Sequence, residues 1–575
     1  MTRVCSAILG LLLAAQAASA QTVFVPPVRI EIPAGGQAMP QMPPRDNAQP
    51  PKPGKAIIRG HVVAADTGQP LRKAQVRISS NDSRENRMTT TDADGRYEFK
   101  ELPAGRYSVQ ASKGSYVQLQ YGQVRPFEPG KPVEVLEAQT VEKVDFALPK
   151  GGVITGRILD EFGEPLADTQ VAAMRYQNMG GRRRLMPAGR PAMTNDIGEF
   201  RLFAIPPGQY YLSATLRNMG GMMADSDDRS GYAPTYFPGT SNMAEAQRVT
   251  IGLGQIVSDV NMALTTTRTA RISGIAVDSQ GRPMMGFVFA MPRGESMMMM
   301  FGAPNQIKPD GTFSLGGLSP GTYVLQTQGG GMGPDGESAS TEITLGGDDV
   351  TGVRLVGGKP STASGRVTIE PASAGSPLQP SVIRLMAQPV VFDMPMMNMA
   401  GPGVVNDDFT FELKVRPGRM HIQLAGQAPG WSIRAVRYRG QDITDPGFEF
   451  RANENITDLE VELTNRETNL SGLVTNDRGA TVKDYAVVVF PHDREKWNLT
   501  SVGMRYLKTG RPDQDGRFKV SGLPPGDYYA VALDYVDSSE WTETEYLDRI
   551  RSKATDVSLN EGETKSIDLR LKTAS

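Results

Sequence analysis

The chain has 575 residues, past the size at which a single core stops growing, so it divides into several domains of ~100 to 200 residues each. Its 62 glycines and 42 prolines, beside 39% apolar residues, suit many short strands joined by turns and argue against a helical bundle. A formal charge of −2, from 61 basic and 63 acidic residues, leaves no basic field to hold a nucleic acid or an anionic membrane by counterion release.

The N-terminus reads Met1-Thr-Arg3, an apolar run from Val4 to Ala18, then Ala18-Ser19-Ala20, the three regions of a secretory signal peptide cleaved after Ala20. Cys5, the one cysteine, lies inside residues 1–20, so the mature chain is expected to have neither a disulfide nor a thiol nucleophile. No later stretch reaches ~18 uninterrupted apolar residues, so no transmembrane anchor is expected after signal cleavage. The expected location is the periplasm or the exterior of the cell. Residues 21–55 hold nine prolines in 35 positions and read as an extended Pro-rich linker.

Beyond the linker one pattern recurs. An apolar residue, a spacer and Gly open each copy, and a Gly-x-Pro turn follows: Ile58-Arg-Gly60 with Gly68-Gln-Pro70, Ile154-Thr-Gly156 with Gly163-Glu-Pro165, and Ile272-Ser-Gly274 with Gly281-Arg-Pro283. Ala363-Ser-Gly365 and Leu470-Ser-Gly472 open weaker fourth and fifth copies. A second signature, Asp-Gly-x-aromatic and then Pro-x-Gly-x-Tyr or Pro-Gly-x-Tyr, follows each opening. It appears as Asp94-Gly95-Arg-Tyr97 with Gly105-Arg-Tyr107, Gly198-Glu-Phe200 with Gly208-Gln-Tyr210, Asp310-Gly311-Thr-Phe313 with Gly321-Thr-Tyr323, and Asp515-Gly516-Arg-Phe518 with Gly526-Asp-Tyr528. The fourth copy is degenerate, with Asp408-Phe409-Thr-Phe411 and Met420 in the tyrosine position. Period-two alternation puts apolar side chains on one strand face, and Asp-x-x-Gly and Pro-Gly turns join the strands. The expected units are 56–150, 151–268, 269–358, 359–466 and 467–575, each of six or seven short strands.

These motifs resemble the carboxypeptidase regulatory-like domain, a transthyretin-like (prealbumin-like) β-sandwich also grouped with carbohydrate-binding-like folds. The resemblance implies an all-β chain of five tandem Ig-like or transthyretin-like β-sandwich domains, pictured as beads on a string with a short helix in the fifth. It names a scaffold and not an activity, since one fold hosts many functions.

Catalytic chemistry finds no support in the residues. His492-Asp-Arg-Glu495 has the His-x-x-Glu spacing of two zinc ligands, but the only histidines are His61, His421 and His492, so no third ligand follows downstream. No Gly-x-Ser-x-Gly elbow and no Gly-x4-Gly-Lys phosphate loop occurs. The chain is therefore read as a non-enzyme. No cofactor is expected, with calcium kept open at Asp92-Ala-Asp94-Gly95 and Asp513-Gln-Asp515-Gly516, where turn formation alone also accounts for the carboxylates. Met219 to Met223, Met297 to Met300 and Met394 to Met399 cluster in Gly/Pro-rich insertions, where thioethers suit cuprous copper, an adaptable partner surface, or plain loop filling.

Aromatic residues outside the strand pattern are the candidate contact residues. Tyr116, Tyr121 and Phe127 fall in the first unit, Tyr232, Tyr236 and Phe237 in the second, and Trp541 and Tyr546 in the fifth, on a stretch whose spacing suits one helical face. They serve either as a platform for sugars or partners, or as cover for a sheet edge or the open end of a sandwich. The expected function is a non-catalytic secreted or periplasmic scaffold. The alternatives are a carbohydrate-binding envelope protein, and an adhesin or accessory subunit with a protein partner.

Overall fold

Five times in the chain an opening glycine lies opposite an aromatic ring across a β-ladder. The pairs are Gly60 with Tyr97, Gly156 with Phe200, Gly274 with Phe313, Gly365 with Phe411 and Gly472 with Phe518. The structure, a computed structural model, describes residues 54–80, 85–179, 182–216, 230–293, 305–328, 336–370, 378–390, 401–425, 428, 430–497 and 503–574. The signal peptide with Cys5, nearly all of the linker and the three methionine runs lie outside the described residues.

The architecture is all-β and tandem, and each repeat forms a two-sheet sandwich. The opening strands are Ala56–Ala64, Gly152–Leu159, Ala270–Val277, Ser361–Ile369 and Asn469–Thr475. Each sits mid-sheet, antiparallel to the strand that carries the paired aromatic and parallel to the closing strand of its own repeat. The second sheet is built on the Pro-Gly strands Gly105–Ser112, Gly208–Leu216, Gly321–Gln328, Gly418–Leu424 and Gly526–Leu533, each antiparallel to an earlier strand of its repeat. Alternating burial, as in Gln75–Ser79, sends every second side chain into the core between the sheets. Ile58, Val76, Phe99 and Tyr107 centre the first core, and Leu470, Tyr485, Phe518 and Tyr528 the fifth.

The opening glycine has a steric cause. A Cβ there would lie 2.1, 2.0, 1.8, 1.9 and 1.7 Å from the carbonyl oxygens of Val144, Val260, Val353, Leu459 and Ile567 in the five repeats. The closing strand crosses too near for any side chain. The tyrosine of the second signature has an equally local role: its hydroxyl donates to the carbonyl four residues earlier. Tyr107 reaches Pro103, Tyr210 reaches Pro206, Tyr323 reaches Ser319 and Tyr528 reaches Pro524, each at 2.7 Å. This bond closes the turn before the strand. Tyr528→Phe leaves the Pro524 carbonyl without its donor and costs about 1–2 kcal/mol. Amide hydrogen exchange across Gly526–Leu533 is expected to speed by roughly 5- to 30-fold, and unchanged exchange would show that the bond contributes nothing.

The fourth repeat lacks that tyrosine, and Met420 packs against its core instead. Its closing strand Asn455–Thr464 is ten residues long and gains an extra antiparallel partner, Ser432–Tyr438. His421 is buried there with Nε2 2.7 Å from the Asp445 carbonyl, and burial holds its pKa below the ordinary imidazole value.

The fifth repeat carries a second apolar layer. Ala486–Pro491 is buried along its whole length, the pattern of a strand covered on both faces. Its outer face packs under Trp497 and the helix Thr544–Arg551, which buries Tyr546, Leu547 and Ile550. The segment that holds Trp541 and Tyr546 therefore covers a sheet face, not an edge or an open end. No helix among the described residues is long and apolar enough to cross a membrane.

The repeats are not beads. The fifth sandwich folds back onto the first two and also touches the fourth, where Arg505 donates to the carbonyls of Ile433 and Arg434 at 3.0 Å and Arg434 pairs with Glu561 at 3.0 Å. Between the first and fifth sandwiches, Arg511 bonds Glu128 with side chains 2% and 1% exposed, and also bonds Asp484 at 3.0 Å. Lys131 adds a contact to Asp484 at 3.1 Å. Strand periodicity reports which face of a strand is inside its own sandwich and says nothing of charges that meet across two sandwiches, so the separate-bead expectation fails at these loops.

Candidate functional site

The chain brings three sandwiches together at Arg175. This residue ends the apolar run Val171 to Met174 on the strand Thr169–Met179 of the second sandwich. Its guanidinium lies 3.5 Å from the ring centroid of Phe127 in the first sandwich, and it bonds Asp537 at 2.9 Å and Ser539 Oγ at 2.8 Å in the fifth. Arg175 and Asp537 are each 13% exposed, which makes this ion pair stronger than a surface one. Phe127 takes a left-handed φ of 60°, costly for an aromatic residue. That turn lets its ring sit under Arg175 while its carbonyl accepts from Ser538 N at 2.9 Å and Ser538 Oγ at 2.7 Å. Tyr535 completes the junction by donating to the Pro126 carbonyl at 2.9 Å.

Over this junction opens a cleft of about 820 Å³, walled by all three sandwiches. Its side chains follow one rule: among the described residues, every aromatic ring in the wall has a guanidinium over it. Arg125 lies over Tyr535 at 5.6 Å, Arg175 over Phe127 at 3.5 Å, Arg183 over Tyr176 at 4.4 Å, Arg248 over Tyr211 at 5.1 Å and Arg549 over Tyr546 at 4.9 Å. All five pairs fall within the ~6 Å range of cation–π attraction. Asp534, Asp537, Glu540 and Glu543 supply carboxylates in the same wall. Burial pushes the Glu543 carboxyl up against the downward pull of Arg183, 3.7 Å away. The Tyr546 hydroxyl is buried without a hydrogen-bond partner among the described residues, and burial pushes its pKa up to about 12, so it stays protonated at neutral pH.

The aromatic residues singled out by sequence have scattered fates. Tyr546 lines the cleft, and Phe127 underlies it. Trp541 is partly buried against the outer core of the fifth sandwich. Tyr116 and Tyr121 pack on the first core, Tyr121 edge-on to Phe146 at 6.3 Å. Tyr236 is buried among Ala172, Met174 and Leu185. Phe237 and Tyr232 lean on the second core, and the Tyr232 hydroxyl donates to Glu161 at 2.5 Å. Tyr116, Tyr121, Tyr232, Tyr236, Phe237 and Trp541 thus form no common platform. Sequence patterning does not single out the cleft's arginines, because an isolated arginine on a strand, loop or helix reads as a solvated face. Arg175, directly after the apolar run Val171 to Met174, carries the one visible signal.

The two Asp-Gly turns use their first carboxylate on the backbone. Asp92 Oδ1 accepts from Asp94 N at 2.9 Å and Arg96 N at 2.8 Å, and Asp513 Oδ1 accepts from Asp515 N and Arg517 N at 2.9 Å. Asp94 leans to Arg96 at 3.7 Å, while Asp515 has its own N–H tied into the turn. Between Asp513 and Asp515, Gln514 exchanges two hydrogen bonds with the Glu134 backbone of the first sandwich, at 3.1 and 3.3 Å. That turn serves docking. His492 faces Asp556 at 2.9 Å and stacks 4.0 Å from Tyr529. Among the described residues no three His, Cys, Asp or Glu side chains gather as a ligand set.

Residues 57–149 match the family model of the carboxypeptidase regulatory-like domain. No curated protein matches the chain. Among solved structures, the chain is similar to the minor pilin of Streptococcus agalactiae at 12% identity, over 36% of this chain and 95% of that one, with a TM-score of 0.21. It is similar to a streptococcal ancillary pilin at 14% identity, over 52% and 98%, with a TM-score of 0.19. It is also similar to the major pilin subunit of Bacillus cereus at 10% identity, over 53% and 99%, with a TM-score of 0.14.

Proposed function

We propose that this chain is a non-catalytic binding scaffold, carried out of the cytoplasm by residues 1–20, whose fifth sandwich docks on the first two to hold one recognition cleft. The observation that carries this reading is the junction at Arg175. A ring, a guanidinium and a carboxylate from three separate sandwiches meet there, which fixes side chains distant in sequence around one concave surface. The wall offers donors, acceptors and stacked cations, the equipment of recognition, and a carbohydrate of the cell envelope is the partner such a surface suits best.

The test is equilibrium binding of residues 21–575 to isolated cell-wall sacculi and to extracellular polysaccharide, with the bound material analysed after release. Saturable binding, lost in a Gln209→Trp variant that fills the cleft, and recovery of the ligand chemically unchanged are expected. Chemical turnover, or binding indifferent to Gln209→Trp, would overturn the reading.

A further inference from the structure

The cleft's cations and acceptors are specific enough to name a ligand class, on the reading that the cleft is a binding site. Arg175 is committed to Asp537 and Arg183 leans on Glu543. Arg248 and Arg549 are not so engaged. Arg248 donates from Nε to the Tyr211 hydroxyl at 2.9 Å and from Nη1 to Gln209 Oε1 at 3.3 Å, and Arg549 lies over the Tyr546 ring. Among the described residues neither has a carboxylate within the 4.0 Å of an ion pair. Both are exposed at the cleft wall, stacked and therefore pre-oriented, the state in which a guanidinium fork grips a carboxylate bidentately.

Three ligand chemistries can be ranked against this wall. A neutral sugar stacks its apolar face on open aromatic rings, but here each ring has a guanidinium over it. A carboxylate-dense polypeptide suits the arginines, but its ionised side chains only accept, so Asp534, Glu540 and Glu543 repel them and receive no side-chain donor. A uronic-acid oligosaccharide satisfies both sets. It carries one carboxylate per ring for an arginine, and hydroxyls that donate to Glu540 and Gln209.

We infer that the cleft binds an acidic, uronate-bearing oligosaccharide, with Arg248 and Arg549 as its carboxylate-gripping residues. The experiment is calorimetric titration of residues 21–575 with an oligogalacturonate, with its methyl ester and with poly-L-glutamate. Oligogalacturonate is expected to bind, with affinity falling as salt rises. The methyl ester is expected to bind at least about tenfold more weakly, a difference set by one charge-assisted contact. Arg248→Ala and Arg549→Ala should each lose about tenfold or more, while Arg248→Lys retains part of the affinity. Both positions are exposed, so an unchanged scattering profile will show that the scaffold persists. Equal binding of the methyl ester, tighter binding of poly-L-glutamate, or variants that bind as well as the parent would each overturn the assignment. Binding to sacculi without binding to oligogalacturonate would also sink it, and would leave the scaffold reading intact.

Discussion

Arg511→Ala should release the fifth sandwich from the first while both stay folded. The Arg511 and Glu128 side chains are 2% and 1% exposed, and Glu128 is further fixed by the backbone N–H groups of Val124 and Arg125 at 3.2 and 3.3 Å. Removing the guanidinium leaves a buried carboxylate without its ion-pair partner, a change that costs about 3–5 kcal/mol. Other contacts cross that joint, from Lys131 to Asp484, from Gln514 to Glu134, and from Ser538 and Tyr535 to the Phe127 and Pro126 carbonyls, but none of them is a fully buried ion pair. The docked state therefore gives way before either core does. The expected result is a larger radius of gyration by small-angle scattering and faster proteolysis between Tyr121 and Lys131, with protected exchange in the core strands. The paired replacement Arg511→Met with Glu128→Leu removes both charges together and should restore most of the docking, since an apolar pair of similar volume avoids the unpaired ion. An unchanged radius in Arg511→Ala would show that the joint is held elsewhere.

How much of this was legible in the sequence divides by length scale. Local rules were readable: Gly-x-Pro turns, Asp-Gly turns and period-two alternation report backbone conformation and which side of a strand is inside. Even the degenerate fourth repeat adopts the register of the others, with Gly365 opposite Phe411. The cleft was not readable, because it is made by residues whose sequence neighbourhoods are ordinary. Arg248 ends up in the cleft wall at the head of the strand Arg248–Ile251, and Arg549 on an amphipathic helix looks like its solvated face. Only the return of the fifth sandwich puts them in one wall. Aromatic residues outside the strand pattern read as open stacking faces, whereas Tyr236 serves as core and Tyr546 carries an arginine. Gln514 is the sharpest case: the two aspartates of its turn suggest a calcium ligand pair, and the amide between them makes the contact to the first sandwich.

Gly472→Ala should unfold the fifth sandwich outright, and with it the cleft. The new Cβ would stand 1.7 Å from the Ile567 carbonyl oxygen, 2.8 Å from its carbon and 3.1 Å from the Phe518 ring. Backbone cannot yield there as a flexible side chain could. Moving Ile567 breaks its bond to the Ser471 carbonyl at 2.9 Å and the parallel pairing of Asn469–Thr475 with the closing strands on either side of it. The later of them, Leu569–Lys572, also pairs with Gly526–Leu533, so the second sheet loses that neighbour with the first. A cost above about 4 kcal/mol is expected, at the extreme of single-residue effects. Gly479→Ala supplies the contrast without the clash: its φ of 77° is left-handed, but no described atom lies within 4 Å of the new Cβ. That variant should lose only about 1–2 kcal/mol. Hydrogen exchange across Gly526–Leu533 separates the two large effects argued here. It stays slow in Arg511→Ala, where sandwiches part but remain folded, and becomes fast in Gly472→Ala, where the crossing of strands is itself removed. Slow exchange in Gly472→Ala would mean that the closing strand can move aside, and the steric account of the five opening glycines would fall with it.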